Sequence, residues 1–220
     1  DSGTKSTFSD KTLKDSTQKM ARGDILIIAD EIYGSYTFDR EFISLIKFPE
    51  IRDRLIILNS FSKDYTMTGW RIGNVIAPKE LISTIQSVNE NVVFTAPSIS
   101  QRGAIYALRN RLSIQPPAID LYKKRVIYAT ERINNIHWMS VLKPKGAFYL
   151  FVNIKKLGLS SAEASLLILH KAHVLTIPGN AFGKCGEGYI RIACTVSIEK
   201  LREAFDRIES IKITPPCNQF

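Results

Sequence analysis

Two short apolar runs, each ending abruptly in polar chemistry, constrain this chain more than any other feature. Ile25-Leu26-Ile27-Ile28-Ala29 runs into Asp30-Glu31-Ile32-Tyr33, and Leu55-Ile56-Ile57-Leu58 runs into Asn59-Ser60-Phe61-Ser62-Lys63. Both runs read as buried strands. A carboxylate and a lysine then stand at the carboxyl edges of two strands, where open α/β sheets hold their ligands. Two hydroxyls, Ser60 and Ser62, precede Lys63, and a cation, Arg71, follows it. This grouping suits an amine that forms a covalent imine beside an anionic group such as a phosphate. Ser-Phe-Ser-Lys alone is a short string and fits equally a strand that ends in polar residues.

The Asp30 segment adds what the lysine segment lacks. A pyridine cofactor needs a lysine for a Schiff base, a carboxylate at its ring nitrogen, a phenol near its ring oxygen and an arginine for its phosphate. Lys63, Asp30, Tyr33 and Arg71 are candidates for these four roles.

These strings, with Gly69-Trp70-Arg71-Ile72-Gly73, Thr95-Ala96-Pro97-Ser98, Lys145-Gly146-Ala147-Phe148-Tyr149, Pro178-Gly179-Asn180-Ala181-Phe182-Gly183 and Tyr189-Ile190-Arg191-Ile192, resemble the signatures of the class I/II aminotransferases. The resemblance covers about Asp24 to Ile211. It implies a fold type I, pyridoxal phosphate-dependent enzyme that moves an amino group between an amino acid and a 2-oxo acid, working as a homodimer; no signal peptide or long apolar span is visible, so a cytoplasmic location is expected. Carried over residue by residue, it makes Lys63 the catalytic, cofactor-bearing base. Asp30 pairs with the ring nitrogen, Tyr33 tunes the ring oxygen, and Ser60, Ser62 and Arg71 anchor the phosphate. Arg191 takes the substrate α-carboxylate as a bidentate pair. On pattern alone Arg191 is also an ordinary exposed residue of an alternating strand. A β-elimination lyase of the same fold shares all these residues, and a non-catalytic structural fragment is the third reading.

Similar enzymes carry a further N-terminal half, with a glycine-containing phosphate loop and an aromatic that stacks on the cofactor. Only Ser2-Gly3 echoes their Asn-Pro-x-Gly element. The expectation is therefore an N-terminally truncated chain of α/β class: residues 1–115 as part of the large domain, a mostly parallel sheet with helices, and 116–220 as a small α+β domain with the linking helix. One departure falls at Val126, where the family often has an acidic residue.

The net charge of +9 raises a nucleic-acid reading. Lys and Arg are scattered, with short clusters only at Lys123-Lys124-Arg125 and Lys155-Lys156, and no basic stripe is interleaved with aromatics. A solvated surface is the better account, and neither nucleic acid nor membrane is expected as a partner. Cys185, Cys194 and Cys217 have no CxxC spacing and suit a reduced compartment. His170 and His173 lack the partners that metal ligation needs, so no metal is expected.

Along the chain, a helix is expected from Ser9, with Leu13, Thr17 and Met20 inward and Gly23 as its stop. Gly34 to Arg54 reads as a loop with a short helix, in which Tyr36 and Phe38 carry no strong functional reading. Further expectations are a strand at Asn74–Ala77 and helices over 79–88 and 97–110, with a break at Gln115-Pro116-Pro117. An amphipathic helix over 118–135 should bury Leu121, Ile127 and Ile133. Then come a strand at 147–152, a helix capped by Ser160-Ser161-Ala162-Glu163, strands at 174–177 and 189–194, and a helix from Ser197 that buries Leu201, Phe205 and Ile208. The glycines at 179, 183, 186 and 188 fit turns rather than a phosphate cradle, and Met67 and Trp70 read as core.

Overall fold

The computed structural model describes residues 25–213, so the expected helix from Ser9 lies outside the described residues. The chain divides into two compact units, one running through Ile119 and the other beginning at Asp120.

In the first unit, strand β1 (Ile27–Asp30) pairs in parallel with β2 (Leu55–Ser60), and β2 pairs antiparallel with β3 (Gly73–Ile76). Alternation along β1 and β2 sends Ala29, Leu55 and Ile57 to one face, where they pack with Ile51, Leu45 and Phe48. Complete burial of a side chain such as Ile57 contributes about 1.5–3 kcal/mol. The other face is only partly covered, with Ile56 buried but its neighbour Ile28 exposed. Ile25 and Leu26 are exposed as well, which corrects the reading of 25–29 as a buried strand. A continuous apolar run shows that a surface avoids water; it does not show that the described residues supply the cover.

The connection after β1 contains 3-10 turns at Leu45–Lys47 and Pro49–Arg54. Buried Glu31 organises it, since its carboxylate accepts from the Leu45 amide at 2.9 Å and from Ser44 Oγ at 3.1 Å. After β2 comes a single helical turn, α1 (Phe61–Asp64), and after β3 come α2 (Lys79–Val92) and α3 (Ser98–Arg109). Phe61, Met67, Ile72, Ala104 and Ala107 form a second core cluster. Met67 is core as expected; Trp70 is not, being 44% exposed while its ring edge lies against Gly103.

Helix α4 (Arg111–Asn135) runs through Pro116 and Pro117, where a break was expected. Each proline removes one i→i−4 bond, leaving the carbonyls of Leu112 and Ser113 without that donor. Both residues are exposed, so water can take those carbonyls. The buried stripe of this helix is Val126, Ala129 and Ile133; Leu121 and Ile127 face outward at 44% and 45% exposure. Val126 is therefore core, and an acidic side chain at that position would be desolvated.

The second unit contains an antiparallel sheet in the order β4 (Tyr149–Asn153), β6 (Tyr189–Ala193), β5 (Ile177–Pro178). Helices α5 (Ser161–Ala172) and α6 (Ile198–Glu209) carry the caps read from sequence. Ser160 accepts from the Glu163 amide while Glu163 accepts from the Ser160 amide at 2.9 Å, and Ser197 accepts from the Lys200 amide. Leu201, Phe205 and Ile208 are buried as expected.

Candidate active site

The ladder sets the geometry. Asp30 ends β1 opposite Leu58, so the carboxyl ends of two parallel neighbours lie side by side, and Lys63 follows on the turn that β2 runs into. Ile32 N donates to Asp30 Oδ1 at 3.2 Å, which fixes the carboxylate at the strand edge and turns the chain toward Tyr33.

The fifteen residues from Asn59 to Gly73 close on themselves. Ser60 caps α1 by accepting from Ser62 N at 3.1 Å, Phe61 N donates to Ile72 O at 3.2 Å, and Thr68 Oγ1 donates to Ser62 O at 3.1 Å. Gly73 opposes Ser60 in the ladder, and any Cβ there would meet Asn59 O at 2.7 Å. Thr66 and Arg71 both adopt left-handed backbone, with φ of 54° and 51°, at a cost of roughly 1–3 kcal/mol each in a non-glycine residue. The surrounding bonds hold that strain. Thr66 N donates to Lys63 O at 3.2 Å, and Arg71 Nη1 donates to Thr68 O at 3.0 Å, which folds the guanidinium back over the same loop.

Asp30, Tyr33, Ser60, Ser62, Lys63 and Arg71 are thus all carried by the first unit, on or beside the carboxyl ends of β1 and β2. Carboxylate, phenol, hydroxyls, amine and guanidinium make a donor set that fits a phosphorylated pyridine aldehyde.

Residues without an assigned role in the sequence also act here. Tyr36, 1% exposed, donates its phenol hydroxyl to Lys63 O at 2.9 Å. The Ser35 hydroxyl lies near the carboxylate of Asp64, and Gln115 Nε2 donates to Ser35 Oγ at 3.4 Å. Burial pushes the Asp64 carboxyl up to about 6, against the opposing effect of the Ser35 hydroxyl, and its Oδ1 is buried with no hydrogen-bond partner among the described residues. Tyr65 is also raised, by burial first and by Asp64 second, while Arg111 opposes both.

Arg191 belongs to the second unit, on the central strand, opposite Phe151 of β4 and Ile177 of β5. Ile190 and Ile192 are buried, and Arg191 alternates to the other face as its sequence position predicts. There its guanidinium lies over the rings of Tyr149 and Phe182, at 4.6 and 4.8 Å from their centroids. Its Nε is buried and has no hydrogen-bond partner among the described residues. A half-buried guanidinium packed on aromatic faces, with a donor still unsatisfied, suits a planar anion. The β4–β6 pairing brings Tyr149 beside Arg191, and the turn after β5 brings Phe182, contacts between residues that are distant in sequence.

The glycines near Phe182 are structural. Gly179 and Gly186 approach backbone to backbone, so that a Cβ on either would run into the other's carbonyl, and Ser161 Oγ accepts from the Gly188 and Tyr189 amides. His173 is the left-handed cap of α5, and no cluster of three or more metal-ligating side chains occurs among the described residues. Cys194 is buried, its thiol pushed up to about 12 by desolvation, which makes it an inert core residue.

The profile of the family described as "Aminotransferase class I and II" matches residues 4–208. A probable N-acetyl-LL-diaminopimelate aminotransferase of Bacillus subtilis is 37% identical over 92% of this chain and 51% of its own length. An aspartate aminotransferase of Pyrococcus horikoshii is 41% identical over 84% of this chain and 48% of its own. Among solved structures, an aromatic aminotransferase from Pyrococcus horikoshii superposes with a TM-score of 0.86 at 34% identity, over 92% of this chain and 55% of that one. The chain spans about half the length of the relatives it matches.

Proposed function

The chain belongs to the class I and II aminotransferases, and from that premise we propose that it forms the cofactor-bearing part of an enzyme moving an amino group between an amino acid and a 2-oxo acid. The observation that carries this reading is the placement of Asp30 at the carboxyl end of β1 and of Lys63 on the turn that directly follows β1's parallel neighbour β2.

In this reading Lys63 holds pyridoxal phosphate covalently and later moves the proton that leaves the substrate Cα. When bound, the cofactor supplies an electron sink for the charge left by that proton. Asp30 keeps a positive charge at the ring nitrogen by pairing with it, and Tyr33 donates to the ring oxygen. Ser60, Ser62 and Arg71 hold the phosphate through hydroxyls and a guanidinium. Arg191 orients the substrate by its α-carboxylate, its stacking on Tyr149 and Phe182 favouring one plane of approach. The division at residues 1–115 and 116–220 then separates a cofactor domain from a substrate-orienting one.

A cytoplasmic homodimer belongs to the same reading. The homodimer is supported by apolar side chains left uncovered on the first unit, where Val88, Val92, Phe94 and Leu112 stand 59–82% exposed. Surface of that kind marks interaction sites in soluble proteins. No helix among the described residues is long and apolar enough to cross a membrane.

The test is covalent trapping. The 220-residue protein is mixed with pyridoxal phosphate, reduced with borohydride, and mapped by peptide mass spectrometry. Saturable labelling of Lys63 is expected, and Lys63→Ala should abolish it. Equal labelling of many surface lysines would leave the chain as a structural fragment and overturn the proposal.

A further inference from the structure

We propose that Ser35, Tyr36 and Asp64 are positioning residues for Lys63, forming a clamp that ties the lysine's turn to the segment following Asp30 and Tyr33. The proposal rests on the reading of Lys63 as the cofactor-bearing lysine.

The need for a clamp follows from the size of α1. Four residues make a single turn, far below the length at which a helix holds itself in water. The lysine side chain is long and flexible, so the fold controls its amine chiefly by fixing the backbone from which it springs. Local bonds do part of this: Ser60 caps the turn, and Thr66 N closes it on Lys63 O.

A longer-range bond arrives from a distant segment and grips Lys63 itself. Tyr36 Oη donates to the Lys63 carbonyl across 27 positions of sequence, and the adjacent Ser35 hydroxyl lies near the Asp64 carboxylate. Gln115, from the first turns of α4, donates to that Ser35 hydroxyl at 3.4 Å and so ties the same segment to a helix. Ser35 and Tyr36 are only two and three residues beyond Tyr33, on the chain that leaves Asp30. A turn that moved relative to that chain would carry the amine away from Asp30 and Tyr33 together. The β1–β2 ladder alone cannot prevent this, because its last pair is Asp30 with Leu58, five residues before Lys63.

Burial distinguishes a clamp from surface decoration. Tyr36 is 1% exposed, so its bond to Lys63 O is shielded from competing water, and Asp64 has its Oδ1 buried away from solvent. Tyr36→Phe removes the hydroxyl and keeps the ring's packing. Asp64→Asn keeps an oxygen that can accept from Ser35, whereas Asp64→Ala does not.

Two readouts on the full 220-residue chain test the clamp. The first is amide hydrogen exchange in peptides covering Phe61–Met67, with peptides over Tyr189–Ala193 as an internal control, and it needs no cofactor. Tyr36→Phe should speed exchange about fivefold in the first region only, as expected when one buried hydrogen bond is lost, Asp64→Ala should speed it in the same region by removing the polar group beside Ser35, and Asp64→Asn should restore the wild-type rate. The second is the fraction of borohydride-trapped pyridoxal phosphate found on Lys63, which should fall in the same two variants and recover in Asp64→Asn. Wild-type exchange and wild-type trapping in both Tyr36→Phe and Asp64→Ala would overturn the clamp. If exchange rises but Lys63 traps normally, the three residues are structural and the positioning role is refuted. Scattered trapping in the wild-type chain would overturn the cofactor reading and the positioning role with it, whatever exchange shows about the turn.

Discussion

Arg191 stacks its guanidinium on Tyr149, 4.6 Å from the ring centroid, and Phe182 closes the other contact at 4.8 Å. The strand register sets up the first of these contacts, because Arg191 stands opposite Phe151, two positions along β4 from Tyr149 on the same face. An arginine packed against two rings has less freedom to lose when an anion arrives, and its buried Nε has no acceptor among the described residues.

Arg191→Lys should therefore weaken carboxylate binding. It loses both the planar fork and the stacking, equivalent to about 1.5–3 kcal/mol, or ten- to more than a hundredfold in KM measured in an enzyme of full family length. Phe182→Leu should produce a smaller rise, about two- to fivefold, because it removes one cation–π contact and leaves the fork. An unchanged KM in Arg191→Lys would exclude Arg191 from substrate binding.

Asp64 predicts a pH dependence that can be read without any ligand. Its carboxyl titrates at the ordinary value of 3.8 in the unfolded chain and is pushed up to about 6 in the folded one by burial. Between these values the folded state keeps a proton that the unfolded state has released, so stability falls as pH rises from about 4 to 6. Allowing for partial exposure, the loss is about 1–2 kcal/mol. Asp64→Asn should flatten that slope, equalling wild type near pH 4 and melting higher at pH 7. Parallel stability–pH curves for the two proteins would contradict the assignment.

Features set by neighbours in sequence were legible. The Ser160–Glu163 capping box, the Ser197 cap and the Leu201, Phe205, Ile208 stripe depend on contacts three or four residues apart, and all are present. What was not legible depended on distant partners. Tyr36 gave no signal because its acceptor lies 27 residues away, and the exposure of Ile25, Leu26 and Ile28 depends on which surfaces pack against β1, not on the run itself. On α4 the stripe shifted from Leu121 and Ile127 to Val126 and Ala129, since apolar character alone leaves the choice of face to packing. Pro116 and Pro117 marked a break that solvent at Leu112 and Ser113 made unnecessary.

Val126 gives a stability test of that corrected stripe. It is fully buried in the second unit with Ala129 and Ile133. Val126→Glu should destabilise by more than about 3 kcal/mol, because it places an unpaired carboxylate in the core. Leu121→Glu, on the exposed side of the same helix, should stay within about 0.5 kcal/mol. Urea unfolding of both variants decides which face is buried, and comparable losses would refute the assignment.

The glycines offer a graded comparison, because the space around each differs while the substitution stays the same. A Cβ at Gly69 would meet nothing within 4 Å, one at Gly73 would meet Asn59 O at 2.7 Å, and one at Gly179 would run into the carbonyl of Gly186. Backbone cannot rotate aside as a side-chain end can. Gly73→Ala should therefore cost about 1–3 kcal/mol by forcing β2 and β3 apart at the ladder's end, and Gly179→Ala should lie at or above the top of that range. Gly69→Ala should be near neutral. The effects should also separate by location: Gly73→Ala should reduce trapping of pyridoxal phosphate at Lys63, since Gly73 pairs with Ser60 at the base of the lysine loop. Gly179→Ala should leave that trapping intact while the chain stays folded, because Gly179 belongs to the second unit. Thermal unfolding and peptide mapping of the three variants check the order, and a Gly73→Ala chain that melts and traps like wild type would show that the close approach to Asn59 is not needed.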